Sequence, residues 1–322
     1  MTGKFPEQRE EENLKVIHGY FEELWELHYE VIRESYLKSR KETRVLFEIL
    51  NNWIDATALF KEYELRNIVR SVSGVIFIYL WRAGNWILYE ILTGHYFEAI
   101  RDIRFLFEGS LLALHYDYFI DKKVYNKLKA LPTFDLKAEI VELIEALREK
   151  VRWLKGKRGK ISPEDLKSLV RRHVEMFIAK AKLANEEREK YIELYCEVLA
   201  QPELYWSIPK IIDEYMKAWN LRKYGKILKS VWSRLSAYTH FSREFFNLAL
   251  RRPEEIWIEH YDEELLKESC KLYIIVIDLL ISTLVITFPK IRNVIKERIV
   301  KWWRENLGLK LEITEGILNM YT

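Results

Sequence analysis

The segment Arg234-Leu235-Ser236-Ala237-Tyr238-Thr239-His240-Phe241-Ser242 places an arginine and a histidine with five residues between them. Histidine can give or take a proton near neutral pH, and arginine is a permanent cation that clamps oxyanions, so the pair has the makings of acid–base chemistry on an anionic group. At about 100° per residue His240 shares a helix face with Ser236 and with Arg243 or Glu244, whereas Arg234 lies about 120° away and nearly two turns earlier. One straight helix therefore keeps Arg234 from His240. They can meet if the helix bends or begins inside the segment, or if two copies of the chain face each other across a dimer axis. Glu244 is placed to orient the imidazole and Ser236 to bond it from the other side.

A second ionisable set falls on the segment around residue 104. Arg104 and Glu108 are one helical turn apart, with Arg101 and His115 on the same stripe, in a stretch that is otherwise apolar. Buried charges must be paired, so these two must find each other or partners on neighbouring helices. Intrahelical support does not explain them well, because the favourable order puts the acid first. The plain alternative is a buried ion pair that fixes helix register, and for His240 a satisfied core imidazole.

The third set is basic. Arg148, Lys150, Arg152, Lys155, Lys157, Arg158 and Lys160 surround Trp153, with Glu149 as the one acid between them. Such a run can track a phosphate backbone while the indole offers a stacking surface. The plainer reading, and the one favoured, is a solvated helix end whose cations complement the helix dipole, followed by a mobile loop.

Helices must position all three sets. Leu14, Ile17, Phe21, Leu24, His28 and Val31 recur at steps of three and four, and the pattern resumes from Val45 to Phe60 and again from about 65 to 92, where Gly94 supplies a stop. The stretch from His95 to about Phe119 is apolar on nearly every side, which predicts a helix at the centre of a bundle. More polar helices are expected over 134–154, 163–183 and 186–200, broken by Gly156 to Pro163 and by Pro202. Apolar patterning returns over 224–250, and from Asp262, a natural N-cap, to Phe288, with Pro289 opening a further helix that ends near Gly308. The tail, Leu309 to Thr322, can form a short strand or dock on the bundle. This divides the chain into bundle helices over 1–130, a helical insertion or peripheral layer over 131–222, bundle helices over 223–308 and a tail over 309–322.

Composition narrows the classes further. Gly 11 and Pro 7 in 322 residues argue against turn-rich β folds, and Lys+Arg 52 against Asp+Glu 49 leaves a net charge too small to name a partner. Cys196 and Cys270 are far apart in helical patterns, which points to a reducing, cytoplasmic compartment. Met1 to Glu12 has no apolar core, so no signal peptide is expected. Glutamine occurs only at Gln8 and Gln201 while Lys, Glu and Ile abound, a thermophile-like balance. Leu272 to Phe288 is short and carries Asp278 near its middle, and Val75 to Leu92 is interrupted by Arg82 and Glu90, so buried helices rather than integral membrane insertion are expected. No phosphate-binding glycine spacing occurs, and the histidines offer only the reversed His95-x-x-Glu98, so neither a metal nor a cofactor is expected.

Arg234-x5-His240, inside the phrase Leu235-Ser-x-Tyr-x-His-x-Ser242, resembles the Arg-x4-6-His motif of the HEPN superfamily. Gly94-His95-Tyr96-Phe97-Glu98-Ala99 followed by Arg104-x3-Glu108 resembles an upstream phrase of several of its branches. The likeness covers about 65–120 and 225–290 and implies an all-α, HEPN-like helical bundle with a peripheral helical insertion. Many HEPN proteins are metal-independent endoribonucleases, often toxins or antiviral effectors, active as dimers. The resemblance therefore implies single-stranded RNA as substrate, a homodimer, and an antitoxin or regulatory partner. Arg234, His240, Glu108 and Arg104 would be the catalytic set. Tyr238, Ser236 and Ser242, with Arg152, Lys155, Lys157 and Arg158, would hold substrate. A histidine serves as acid or base on a 2′-hydroxyl or leaving oxygen, and an arginine stabilises charge on the phosphate. Leu235 departs from the pattern, since active members commonly carry Asn, Asp or His after the arginine. A non-enzymatic module that binds a nucleotide or protein, with these residues as a buried polar network, is the alternative.

Overall fold

The computed structural model describes residues 6–60, 71–118, 136–159, 161–179, 185–239 and 260–321, and every regular element among them is helical. The chain is all-α. The helices are α1 (Pro6–Lys38), α2 (Arg40–Phe60), α3 (Val72–Leu92), α4 (Tyr96–Leu114), α5 (Leu136–Arg158), α6 (Pro163–Ile178) and α7 (Asn185–Leu199). They continue with α8 (Ile208–Ala218), α9 (Arg222–Thr239), α10 (Glu263–Thr287), α11 (Arg292–Val294), α12 (Lys301–Leu307) and α13 (Glu312–Leu318).

The all-round apolar pattern of α4 has the expected result: it packs against α3, α8, α9 and α10 at the centre of the main core. Ile100, Ile103, Leu106, Phe107 and Leu111 are fully buried along it. Helix α10 is its principal neighbour and is buried from Leu279 to Ile286 on every side. Both α3 and α10 are long and apolar enough to cross a membrane by composition alone, and in this fold α10 is a core helix.

Helix ends explain several residues that look misplaced in the sequence. Gly94 sits at φ +84, the left-handed conformation that closes α3, and the His95 N–H returns to the Glu90 carbonyl at 2.8 Å. A Cβ at Gly94 would stand 2.5 Å from the His260 carbonyl oxygen, so no larger residue fits. Asp262 caps α10 as its type predicts, accepting from the Leu265 N–H at 2.9 Å. Asp117 accepts the Val72 and Ser73 N–H groups at 3.0 and 2.6 Å and so caps α3 from a distant segment. Asp278 does the same for the tail. Its carboxylate accepts the Ile313 and Thr314 N–H groups at 2.9 and 3.0 Å and the Thr314 hydroxyl at 2.7 Å. The tail is therefore the docked helix α13 and not a strand, and the charge in the middle of α10 has a partner set.

A second apolar cluster joins α5, α6 and α7 through Leu147, Val151, Val170, Val174, Ile192 and Leu199, among others. Tyr116 and the half-buried Leu112 bring the end of α4 and the residues after it against this cluster. Helix α8 packs into the main core through Ile211, Ile212, Tyr215 and Met216. Gly156 does not break α5, which runs through it to Arg158; Gly159, at φ +76, follows the end.

Candidate functional site

The polar residues of α4 meet the last turns of α9. Arg104 Nε donates to Glu108 Oε1 at 2.9 Å along α4, and the same guanidinium reaches across to the Thr239 hydroxyl. Trp232 Nε1 donates to Glu108 Oε1 at 3.2 Å, and Thr239 Oγ1 donates in turn to the Leu235 carbonyl at 2.9 Å. Four side chains thus tie α4 to α9. Arg104 and Glu108 are only 18% and 32% exposed, a setting in which charge-assisted hydrogen bonds count for more than on an open surface.

Arg234 takes a different course. Its Nε lies 2.6 Å from Glu268 Oε1 of α10, with Arg234 more than half exposed and Glu268 largely covered. The geometry thus puts Arg234 beside α10 and leaves Glu108 to Arg104 and Trp232. Leu235 is fully buried, so the residue that departs from the superfamily pattern is a core residue here. Ser236 Oγ is buried with no hydrogen-bond partner among the described residues, and Tyr238 packs half-buried with its ring 6.3 Å from Phe97. His240 and Ser242 lie outside the described residues.

The basic run separates into two parts. Arg148 is buried, donating to Glu145 at 2.9 Å and to the Leu204 carbonyl at 2.9 Å while its guanidinium lies 5.5 Å from the Tyr116 ring. It belongs to the second core and not to a solvated stripe. Arg152, Lys155 and Lys157 are exposed on α5, with Lys157 Nζ 4.1 Å from the Trp153 ring; Arg158 ends the helix. This set and the α4–α9 network share no element.

Arg101 points to solvent beside Asp102, and His115 is fully buried against Trp206 and Tyr215, so the stripe that joined them to Arg104 does not act as one group. Burial, with Arg148 nearby, pushes the His115 pKa down to about 3, which keeps the ring neutral.

Sequence spacing gave no sign of Trp232, Thr239 and Glu268 as partners, although Thr239 precedes His240 directly. It also missed a cluster around the α3–α4 turn. The His28 ring stands 5.5 Å from His95 and hydrogen-bonds Tyr89, while Thr93 Oγ1 lies 2.8 Å from His95 Nδ1. Glu90 is buried beside them, and burial, reinforced by Asp102, raises its pKa to about 7.

No family model, no curated protein and no solved structure matches the chain.

Proposed function

We propose that the chain is an RNA-binding protein of HEPN-like character that cleaves single-stranded RNA without a metal. The observation that carries this reading is the reach of Arg104 from α4 to Thr239, the residue directly before His240. That contact joins the upstream Arg104–Glu108 pair to the end of the Arg234-x5-His240 motif. Arg234, more than half exposed, is accessible to a phosphate. In this reading His240 moves the proton and Arg234 stabilises the charge that develops on the phosphorus oxygens. Arg104 and Glu108 act as positioning residues.

The active species in this reading is a two-fold dimer in the cytoplasm, because a single straight helix through both positions would set Arg234 and His240 about 120° apart. Val75, Ile78, Tyr79 and Trp86 form an exposed stripe on α3 of the kind such a contact would bury. The second reading, a non-enzymatic module with a structural polar network, is favoured by one feature, the capture of Arg234 by Glu268.

The deciding experiment incubates the purified protein with single-stranded RNA in EDTA. Cleavage to 2′,3′-cyclic phosphate ends is expected, with DNA left intact because it lacks the attacking hydroxyl. His240→Ala should slow the reaction by about 10²-fold or more, the size of an acid–base contribution. No cleavage of any RNA by a protein shown to be dimeric by light scattering would transfer the chain to the non-enzymatic class.

A further inference from the structure

We propose that the groove between α5 and α6 is a stacking and phosphate-binding site for single-stranded RNA. This deepens the RNA reading above by naming where the strand is held. The groove encloses about 470 Å³ and is lined on one wall by Lys150 and Trp153 and on the other by Ser168, Arg172 and His173, with Asp165 as its one carboxylate. It shares no residue with the Arg104–Glu108–Trp232–Thr239 network.

Three features point to a nucleotide chain. Trp153 is 57% exposed on an otherwise polar helix face, and Lys157 Nζ lies over its ring 4.1 Å from the centroid, so a base would stack on the opposite face of the indole or displace the ammonium. Lys150 and Arg172 are both exposed and form no ion pair among the described residues, which leaves two cations on opposite walls free for phosphate oxygens. Lys150 and Lys157 are two turns apart, about 10 Å along the axis, farther than a single phosphate spans. A free mononucleotide would engage one of them; a strand engages both.

His173 supports the sugar. Its Nδ1 donates to the Leu169 carbonyl at 2.9 Å, so that nitrogen carries a proton and Nε2 is the ring atom that could accept a hydrogen bond, on a residue that lines the groove. A ribose hydroxyl is a matching donor. An acidic peptide would satisfy Lys150 and Arg172 but would leave the indole and the imidazole without a counterpart.

The test is fluorescence anisotropy of a labelled oligoadenylate of about twelve nucleotides, measured on the full chain carrying His240→Ala so that the probe survives. Trp153→Ala should weaken binding by about 5- to 100-fold, the range for loss of one stacked base. Arg172→Ala should reduce the slope of log affinity against log salt by about 0.7, one phosphate contact on a single strand. AMP should displace the probe only at far higher concentration than unlabelled oligoadenylate. Both substituted side chains are exposed, so unchanged melting temperatures are expected and confirm folding. Native affinity in Trp153→Ala and in Arg172→Glu would overturn the assignment, as would displacement of the probe by polyglutamate as readily as by RNA. EDTA-resistant cleavage with an unchanged KM in the Trp153→Ala, Arg172→Glu protein would sink the groove and leave the catalytic reading intact. Trp153-dependent binding without any cleavage would uphold the groove and sink the catalytic reading.

Discussion

Arg234 Nε lies 2.6 Å from Glu268 Oε1, and the arginine of the motif on α9 is thereby held against α10. The pair is lopsided, an exposed guanidinium on a largely covered carboxylate, so the arginine is restrained without being withdrawn from solvent. Glu268→Gln removes the counter-charge and frees Arg234. In the RNA-cleaving reading proposed above, the expected result is a lower KM for RNA with a smaller change in kcat, whereas Arg234→Ala lowers kcat itself. Loss of the ion pair should cost no more than about 1 kcal/mol of stability, measured by urea unfolding.

Glu108 accepts from both Arg104 and Trp232, so its removal strands two donors at once. Glu108→Ala is expected to cost about 2 to 3 kcal/mol, against about 1 kcal/mol for Trp232→Phe. In a double-mutant cycle the two changes should be non-additive, because the second finds its hydrogen bond already gone. Additive values would separate the α4 and α9 ends of the network.

Glu90 makes stability depend on pH in a direction opposite to that of a salt-bridged acid. Its folded pKa of about 7 lies above the ordinary value of 4.5, so the folded chain holds a proton that the unfolded chain releases. The associated stability is complete below pH 4.5 and is lost as pH rises through 7. Glu90→Gln, which imitates the protonated acid, should raise the melting temperature at pH 8 and leave it unchanged near pH 4, a gain of about 1 to 2 kcal/mol at the higher pH. Equal effects at both pH values would show that the carboxyl does not titrate in this range.

Asp278 holds the tail. Burial raises its pKa to about 6 against the hydrogen bonds from Thr314 and Ile313, and the side chain is buried between α10 and α13. Asp278→Ala leaves the Ile313 and Thr314 N–H groups unsatisfied in the core, while the Thr314 hydroxyl keeps its bond to the residue 278 carbonyl at 3.0 Å, and should cost about 2 to 4 kcal/mol. Hydrogen exchange should show the loss first over Glu312–Leu318. Thr314→Val removes one donor only and should cost about 1 kcal/mol.

The features legible in the sequence are those that chain-local physics decides. Asp262 and Gly94 mark helix ends because a capping carboxylate and a left-handed glycine act within a few residues of themselves. The central place of α4 follows from an apolar pattern with no polar face, since such a helix has to be covered on all sides. The pairing of Arg104 with Glu108 was open to the same logic, one turn apart and too apolar a setting for either to stand alone. Tertiary structure alone decided what depends on which helices become neighbours. Glu268 lies 34 positions beyond Arg234, and Asp278 meets Thr314 at a separation of 36. Arg148 left the basic run because a carbonyl from Leu204 and the Tyr116 ring came to surround it. Helical period fixes the direction in which a side chain leaves its own axis; packing of distant helices determines what it meets there.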